Sequence, residues 1–483
     1  MYQQPNNTDL AKENLLIHLD CPYSQELLLR VLTETNNEEN SKFLSKYNIF
    51  TREDVLKFAS ETCEQSQSSS ALVYEQSVEN FIKHFNIHVQ WDEYENIAWN
   101  LVMSHEPSSS LGLEKSKTPL RCNYYCVRKG LIRKAQFASV LNRYMTKKLD
   151  KQETTCLKRS IPETYLYELD DPEYFDESLY DIYEVVESLQ ENERKLQEGE
   201  LMNLTTWILK PSITNKGAEI FIFNSLEALR NYFTQKHEQH RSEEEEDEEQ
   251  LDEDKDLSSE QHVDLRQLRE WVIQRYVDRP LLLCGGRKFH LRVYVVSVGA
   301  LQVYVYDQIL ALFALRPFDM TRVNDTFSHI TNTCVQVNEV DFKESESVKL
   351  FWNLDKEDAE HISRTQLERI FEQVKEITGE TFAAVSGELN FMPLPHCFEL
   401  YGLDFLVDEN HQVYLLEVNA GPDFKQTGKE LDSVIYNLFK QTAKVVLLND
   451  TEACIVSNEN PATFGKGQLH RVLSKETTYR NEF

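Results

Sequence analysis

CFELYGLDFLVDENHQVYLLEVNAGPDF, residues 397–424, decides how this chain is read. Two apolar, alternating halves flank the polar stretch DENHQ, which predicts a β-hairpin. With the turn centred between Asn410 and His411, Asp404 on the first strand faces Glu417 on the second. Directly opposed carboxylates repel one another across a sheet, and an ionised carboxylate in an apolar setting is costly unless paired. Glu417 and Asn419 share a face, because side chains alternate along a strand. Three oxygen-bearing side chains therefore converge. A hard divalent cation resolves both the repulsion and the burial, and Mg²⁺ takes one or two carboxylates while leaving positions for phosphate oxygens. Asp404, Glu417 and Asn419 are the expected metal set. In a different register Asp404 would sit at a solvated edge.

Upstream, FHLRVYVVSVGALQVYVYD (289–307) carries a second hairpin signal around a short glycine-containing turn. Lys288, His290 and Arg292 alternate with Phe289, Leu291 and Val293, so the basic set shares one face. Such a face suits polyphosphate or an acidic substrate, or is a solvated sheet surface. Lys210 closes the apolar strand WIL just before Pro211, either on a phosphate or in solvent. The loop after it, PSITNKGAEI, has a single glycine and is a weak phosphate cradle. IQRYV (273–277) ends a strand whose backbone could bond an adenine edge.

The 483 residues suit two or three domains. No apolar run reaches membrane-spanning length and MYQQPNNTDL lacks a signal-peptide pattern, so the chain is read as intracellular. Nine scattered cysteines without a CxxC pair are read as reduced thiols. The formal charge is −30. Residues 242–256, SEEEEDEEQLDEDKD, hold eleven acids and one lysine, and read as a solvated disordered loop. Residues 114–159 hold thirteen Lys and Arg against three acids. They form either an anion-docking site or a solvated helix face. Helices are expected at SQELLLRVL, TREDVLKFAS, residues 130–149, 225–237, 364–378 and 431–447, with 263–277 a helix leading into a strand and SQSSS a linker. Mixed helices and hairpins make the fold α+β.

The ordered set WILKPS, IQRYVDRPLLL, GRKFHLRVYVV, HITNT and YGLDFLVDENHQVYLLEVNAGP, with NYYCVRKGLIRKAQF before it, resembles the tubulin–tyrosine ligase-like family of ATP-grasp enzymes. The likeness covers roughly residues 80–445. RKFHLR and VYDQILALFALRPF are similar to fungal members, some of which are associated with cytoplasmic mRNA-decay bodies. The resemblance implies an ATP-grasp fold with ATP between two β-sheets. Laid on this chain it gives a helical N-terminal extension (1–75), an N-terminal ligase-like domain (76–130), a central domain (131–277) with an acidic disordered loop at 238–260, a C-terminal domain (278–450) and a tail (451–483).

The same resemblance implies that Lys210 and Lys288 contact phosphates, that Gln274, Arg275, Tyr276 and Val277 line the adenine pocket, and that Thr331 and Asn332 border the nucleotide. Asp404, Glu417 and Asn419 would hold Mg²⁺, and Arg292 and Glu417 would act in catalysis, Arg292 on a substrate carboxylate or phosphate. Two positions depart from the family. His290 stands where an Asp usually bonds the ribose, and a neutral imidazole accepts through one nitrogen only. Leu312 stands where an Arg usually holds the amino-acid substrate. The implied activity is an ATP- and Mg²⁺-dependent ligase joining an amino acid to a protein carboxylate through an acyl phosphate. Its partner would be an acidic tail, such as that of tubulin, docked on 114–159. The alternative is a partly degenerate ATP-grasp protein that binds mRNA-decay factors in cytoplasmic P-bodies. A third reading is phosphotransfer to a small molecule. The chain is expected to be a monomer off the membrane.

Overall fold

A computed structural model describes residues 12–34, 38–62, 70–104, 119–200, 203–213, 219–249, 270–337, 339–340, 342–424, 431–450 and 464–475. All but the last residue of the expected linker SQSSS (66–70) lies outside these residues, as does the start of the helix expected from 263.

Strands β1 (Glu13–Ile17), β2 (Tyr47–Thr51), β3 (Val89–Trp91) and β4 (Arg121–Cys122) form a parallel sheet in the order β2-β1-β3-β4. The expectation of a helical extension over 1–75 is corrected here. Helices Pro22–Thr33 and Arg52–Thr62 are present, but β1 and β2 accompany them, and β1 pairs with β3 across the expected boundary at 75/76. Leu15, Leu16 and Ile17 are all fully buried. A strand covered on both faces has no polar–apolar alternation to read.

A second sheet contains β5 (Thr164–Glu168), β6 (Trp207–Pro211), β7 (Phe221–Phe223) and β8 (Glu270–Arg275), antiparallel in the order β5-β8-β6-β7. Alternation splits its two faces. Trp207, Leu209, Trp271 and Ile273 pack with Phe175, Leu189 and Phe233 into a compact core. Ile208, Lys210, Val272 and Gln274 point the other way. The helix expected to end near 237 continues as Leu226–Glu249, into the first part of the acidic run. The disordered loop expected from 238 is therefore corrected over 238–249, and the rest of it lies outside the described residues. Glu is a good helix former, so a polar run with few breakers prolongs the helix.

The third sheet is the largest. It comprises β9 (Leu282–Leu283), β10 (Arg287–Val298), β11 (Gln302–Tyr306), β12 (Leu310–Phe313), β13 (Val348–Leu350), β14 (Phe398–Val407), β15 (Val413–Ala420) and β16 (Leu469–Ser474). The long strand β10 is its spine. It pairs with β12 and then β11 along one edge and with β14 along the other, all antiparallel. Helix Arg364–Val385, started by a Ser363–Gln366 capping box, buries Leu367, Phe371 and Val374 in the core that also takes Phe289, Leu291 and Val293. Helix Asp432–Leu448 packs on part of the opposite face, against Tyr294 and Val296.

Two further expectations change. The tail 451–483 is not merely polar, since β16 adds to the main sheet beside β11. Buried Asp307 fixes the approach by accepting from the backbone N–H groups of Gly465, Lys466, Gly467 and Gln468 at 2.8–3.3 Å. The β14–β15 hairpin turns about Asn410, with Val407 opposite Val413, rather than between Asn410 and His411. A register shift after Asp404 leaves Leu416 as an extra residue, and this bulge restores the pairing of Asp404 with Glu417.

Candidate functional site

The free faces of the second and third sheets look at each other across a cleft of ≈ 730 Å³, part of it open to solvent. Lys210, Ile208 and Ile220 come from the second sheet, Lys288, His290, Asp404, Leu406, Leu416 and Glu417 from the third. His329, Ile330, Thr331 and Asn332 close one side, and Lys134 enters from the start of helix Lys134–Asp150. Apolar side chains from both sheets share the cleft lining with charged ones.

The basic row of β10 is not a solvated face. Lys288, His290 and Arg292 are all at least nine-tenths buried. Lys210 donates to Gln274 Oε1 at 2.8 Å, and Gln274 is held by Thr164 Oγ1 at 3.0 Å. Lys288 donates to the Tyr276 hydroxyl at 2.8 Å. Burial pushes Lys210 down to about 8, against the pull of Glu417, and Lys288 down to about 7, with Lys210 adding repulsion. Both ammonium groups lack a full counter-charge, so a polyphosphate would relieve them. Burial, with the Arg292 charge, lowers His290 to about 3, so its imidazole is neutral. Its Nδ1 lies 2.6 Å from Thr331 Oγ1, while Nε2 has no hydrogen-bond partner and stands 3.8 Å from Asp404 Oδ1.

The facing carboxylates form the acidic end. Arg292 donates from Nε to Asp404 Oδ1 at 2.6 Å and from Nη2 to Oδ2 at 3.1 Å. Asn419 bridges the two acids, donating to Asp404 Oδ2 at 3.3 Å and to Glu417 Oε1 at 3.1 Å. Lys134 Nζ is 3.4 Å from Glu417 Oε2. Burial raises Asp404, Arg292 pulls it back and Glu417 adds to the rise. Burial also opposes the charge on Glu417, yet Lys134 and Lys210 outweigh it and hold that carboxyl well below its ordinary range. Among the described residues no group of three His, Cys, Asp or Glu side chains is arranged to hold a metal. The two carboxylates are nevertheless hard oxygen donors of the kind Mg²⁺ takes, and the Asn419 amide, whose nitrogen faces both acids here, would offer its oxygen once turned over, so the set fits that ion.

The expected site residues divide as follows. Lys210, Lys288, His290, Thr331, Asn332, Asp404 and Glu417 meet in the cleft. Gln274 lines an adjoining chamber, and Arg292 and Asn419 act on Asp404 from beside it. Tyr276 reaches inward only through its hydroxyl, and Val277 lies outside the lining. Arg275 turns away, its guanidinium 5.5 Å from the Trp207 ring centre. Leu312 is buried on β12 opposite His290, an apolar side chain on the face where the family would place a cation. The expected docking stretch 114–159 is largely spoken for. Arg121, Arg128, Lys134, Arg143, Lys147, Lys148 and Arg159 each sit in an ion pair. Lys134, His329 and Leu416 were not anticipated. His329 could have been read from the quoted HITNT.

Two β-sheets gripping a cleft of paired lysines and facing carboxylates define an ATP-grasp protein. The chain belongs to the Tubulin-tyrosine ligase family, whose match covers residues 113–454. It is 36% identical over 363 residues to a "Probable tubulin--tyrosine ligase" of Schizosaccharomyces pombe, covering 74% of this chain and 82% of that one. It is 39% identical over 338 residues to the "Probable tubulin--tyrosine ligase PBY1" of Saccharomyces cerevisiae, covering 67% of this chain but only 42% of the relative. Among solved structures it is similar to the C-terminal domain of K. lactis Pby1, described as an ATP-grasp enzyme interacting with the mRNA decapping enzyme Dcp2. That likeness has a TM-score of 0.57 and 26% identity, covering 96% of this chain and all of the other. Among the described residues no helix is long and apolar enough to cross a membrane.

Proposed function

We propose that the chain is an ATP- and Mg²⁺-dependent carboxylate–amine ligase acting on a protein carboxylate. The observation that carries this reading is the meeting of Lys210 and Lys288 with the facing pair Asp404 and Glu417 in one cleft. ATP supplies the phosphoryl group that activates the acceptor carboxylate as an acyl phosphate, and Mg²⁺ neutralises charge on the phosphates. Lys210, steadied by Gln274, and Lys288, steadied by Tyr276, take the phosphate oxygens. Asp404, Glu417 and Asn419 hold the ion. Thr331 and Asn332 border the nucleotide, while Ile208, Ile330, Leu406 and Leu416 enclose its base and exclude water. Arg292, bonded to Asp404 beside the cleft, would orient that carboxylate toward the ion and add positive charge next to the acceptor. Tubulin is the acceptor suggested by the names of the relatives. Docking of its acidic tail on 114–159 loses support from the ion pairs described above.

A second reading, a binding partner in a cytoplasmic mRNA-decay assembly, is favoured by Leu312 opposite the neutral His290 and by the likeness to the K. lactis domain, described as interacting with the decapping enzyme Dcp2. Calorimetry with ATP, with and without Mg²⁺, separates the two. The ligase reading expects Mg²⁺-dependent binding in the wild type that Asp404→Asn and Glu417→Gln both abolish. Binding that ignores Mg²⁺ and both substitutions would sink it.

A further inference from the structure

His329 closes the short helix Thr326–His329 and is 1% exposed, yet lines the cleft. Its hydrogen-bond partners fix its tautomer. Nε2 lies 3.1 Å from the backbone oxygens of both Asp319 and Arg322. Carbonyl oxygens only accept, so Nε2 carries the hydrogen. Burial and the nearby Lys288 charge both disfavour a second proton on the ring, and with the hydrogen on Nε2 the Nδ1 atom is left as the acceptor. The Tyr276 hydroxyl, 2.7 Å away, therefore donates to Nδ1. With its hydrogen committed there, the Tyr276 oxygen presents its lone pairs to Lys288, whose Nζ donates at 2.8 Å. The same ammonium lies 4.3 Å from the centre of the Tyr276 ring. Every donor in the chain from Asp319 and Arg322 to Lys288 thus has one direction.

We propose that His329 is a positioning residue for Lys288. Acting through Tyr276, it fixes where the lysine ammonium points in the cleft, and its hold on the 319–322 carbonyls ties that direction to the segment that also carries Thr331 and Asn332. Lys288 is otherwise a flexible four-carbon arm on β10, and a polar partner is what keeps its head from turning. The consequence for phosphate rests on the ligase reading. The geometry of the relay does not.

The test is a cycle of His329→Phe, Tyr276→Phe and the double variant in the full chain. The first readout needs no nucleotide: competitive labelling of lysine amines by a small anhydride, read by mass spectrometry. Tyr276→Phe, which removes the hydrogen bond to the charged lysine, and His329→Phe, which frees the Tyr276 hydroxyl to turn its hydrogen toward Lys288, each change Lys288 labelling by about tenfold and leave Lys210 unchanged. The double variant does no more than either single one, because the two residues act in series. His329→Asn, which keeps an acceptor toward Tyr276, recovers part of the wild-type value. Additive effects, or unaltered Lys288 labelling in Tyr276→Phe, overturn the proposal. Tyr276→Phe alone keeps the test decisive should His329→Phe fail to fold. The second readout is ATP affinity, weakened about tenfold in step with the labelling. A wild type that binds no ATP refutes the ligase reading and leaves the labelling result standing.

Discussion

Arg292 and Asp404 stand opposite each other on β10 and β14, joined by two hydrogen bonds of 2.6 and 3.1 Å. Both are buried, and the guanidinium fork matches the carboxylate oxygens. The row continues across β15 to Glu417, so one line across the sheet reads cation, anion, anion. The arrangement explains why the two acids differ. Asp404 already has a counter-charge within the sheet, whereas Glu417 faces the lysines of the cleft.

Removing the two acids should therefore have unequal costs. Asp404→Asn leaves a buried guanidinium without its anion and is expected to lose about 3 kcal/mol of stability. Glu417→Gln takes the anion away from Lys134 and from buried Lys210 but relieves the repulsion with Asp404, so its loss is smaller, about 1–2 kcal/mol. Urea denaturation of the two variants measures the difference, and equal losses would contradict this account of the row.

The buried lysines make stability depend on pH. In the unfolded chain each keeps its proton up to about pH 10.4, whereas in the fold Lys288 releases it near 7 and Lys210 near 8. Between these limits the unfolded chain binds more protons, so stability rises with pH. The penalty is full below pH 7 and fades from there to about pH 10, at up to about 1.4 kcal/mol per unit for each group while it titrates. Melting temperatures measured across this range should climb more steeply in the wild type than in Lys288→Met. Polyphosphate restores the charges, so ATP binding at pH 8 should take up protons, visible as a buffer-dependent heat.

Gly402 lies on β14 beside this row. A Cβ there would come within 3.0 Å of Pro422 Cβ and 3.2 Å of Arg292 Cδ. Gly402→Ala is expected to displace the arginine stem from its path to Asp404, at a cost of about 1–3 kcal/mol. A denaturation midpoint unchanged from wild type would mean that Arg292 has more room than these distances allow.

Asp307 is the anchor of the last strand. Besides four backbone N–H groups it has His470 Nε2 at 3.4 Å. Asp307→Ala orphans those donors and should cost about 3 kcal/mol or more. Removing residues 464–483 should uncover the β11 edge and promote association through it, which light scattering would detect. A truncated chain that stays monomeric with an unchanged melting temperature would show that the strand is dispensable.

Much of the site was legible because hairpins announce themselves. Alternation in 289–307 and 397–419 placed β10, β11, β14 and β15, and the opposed acids followed from register alone. The register argument reached the right pair from a turn misplaced by half a residue, and the bulge at Leu416 cancelled the offset. No local signal marks a bulge at Leu416. β1 escaped notice because Leu15, Leu16 and Ile17 are apolar without a break. β16 is six residues in a polar region. Lys134 lay within a stretch whose basicity suggested docking, when one of its lysines instead turns inward to Glu417. That choice depends on how the helix sits against β15, which sequence spacing does not encode.

The Asp307 clasp joins positions 160 residues apart. Its partners leave the ribosome long after β10 and β11 have been made, and contacts of such separation are slow to find. Newly made protein must therefore pass through a stage in which its main sheet has an unpaired margin. During that interval the edge later covered by β16 is open to mispairing with a neighbouring chain.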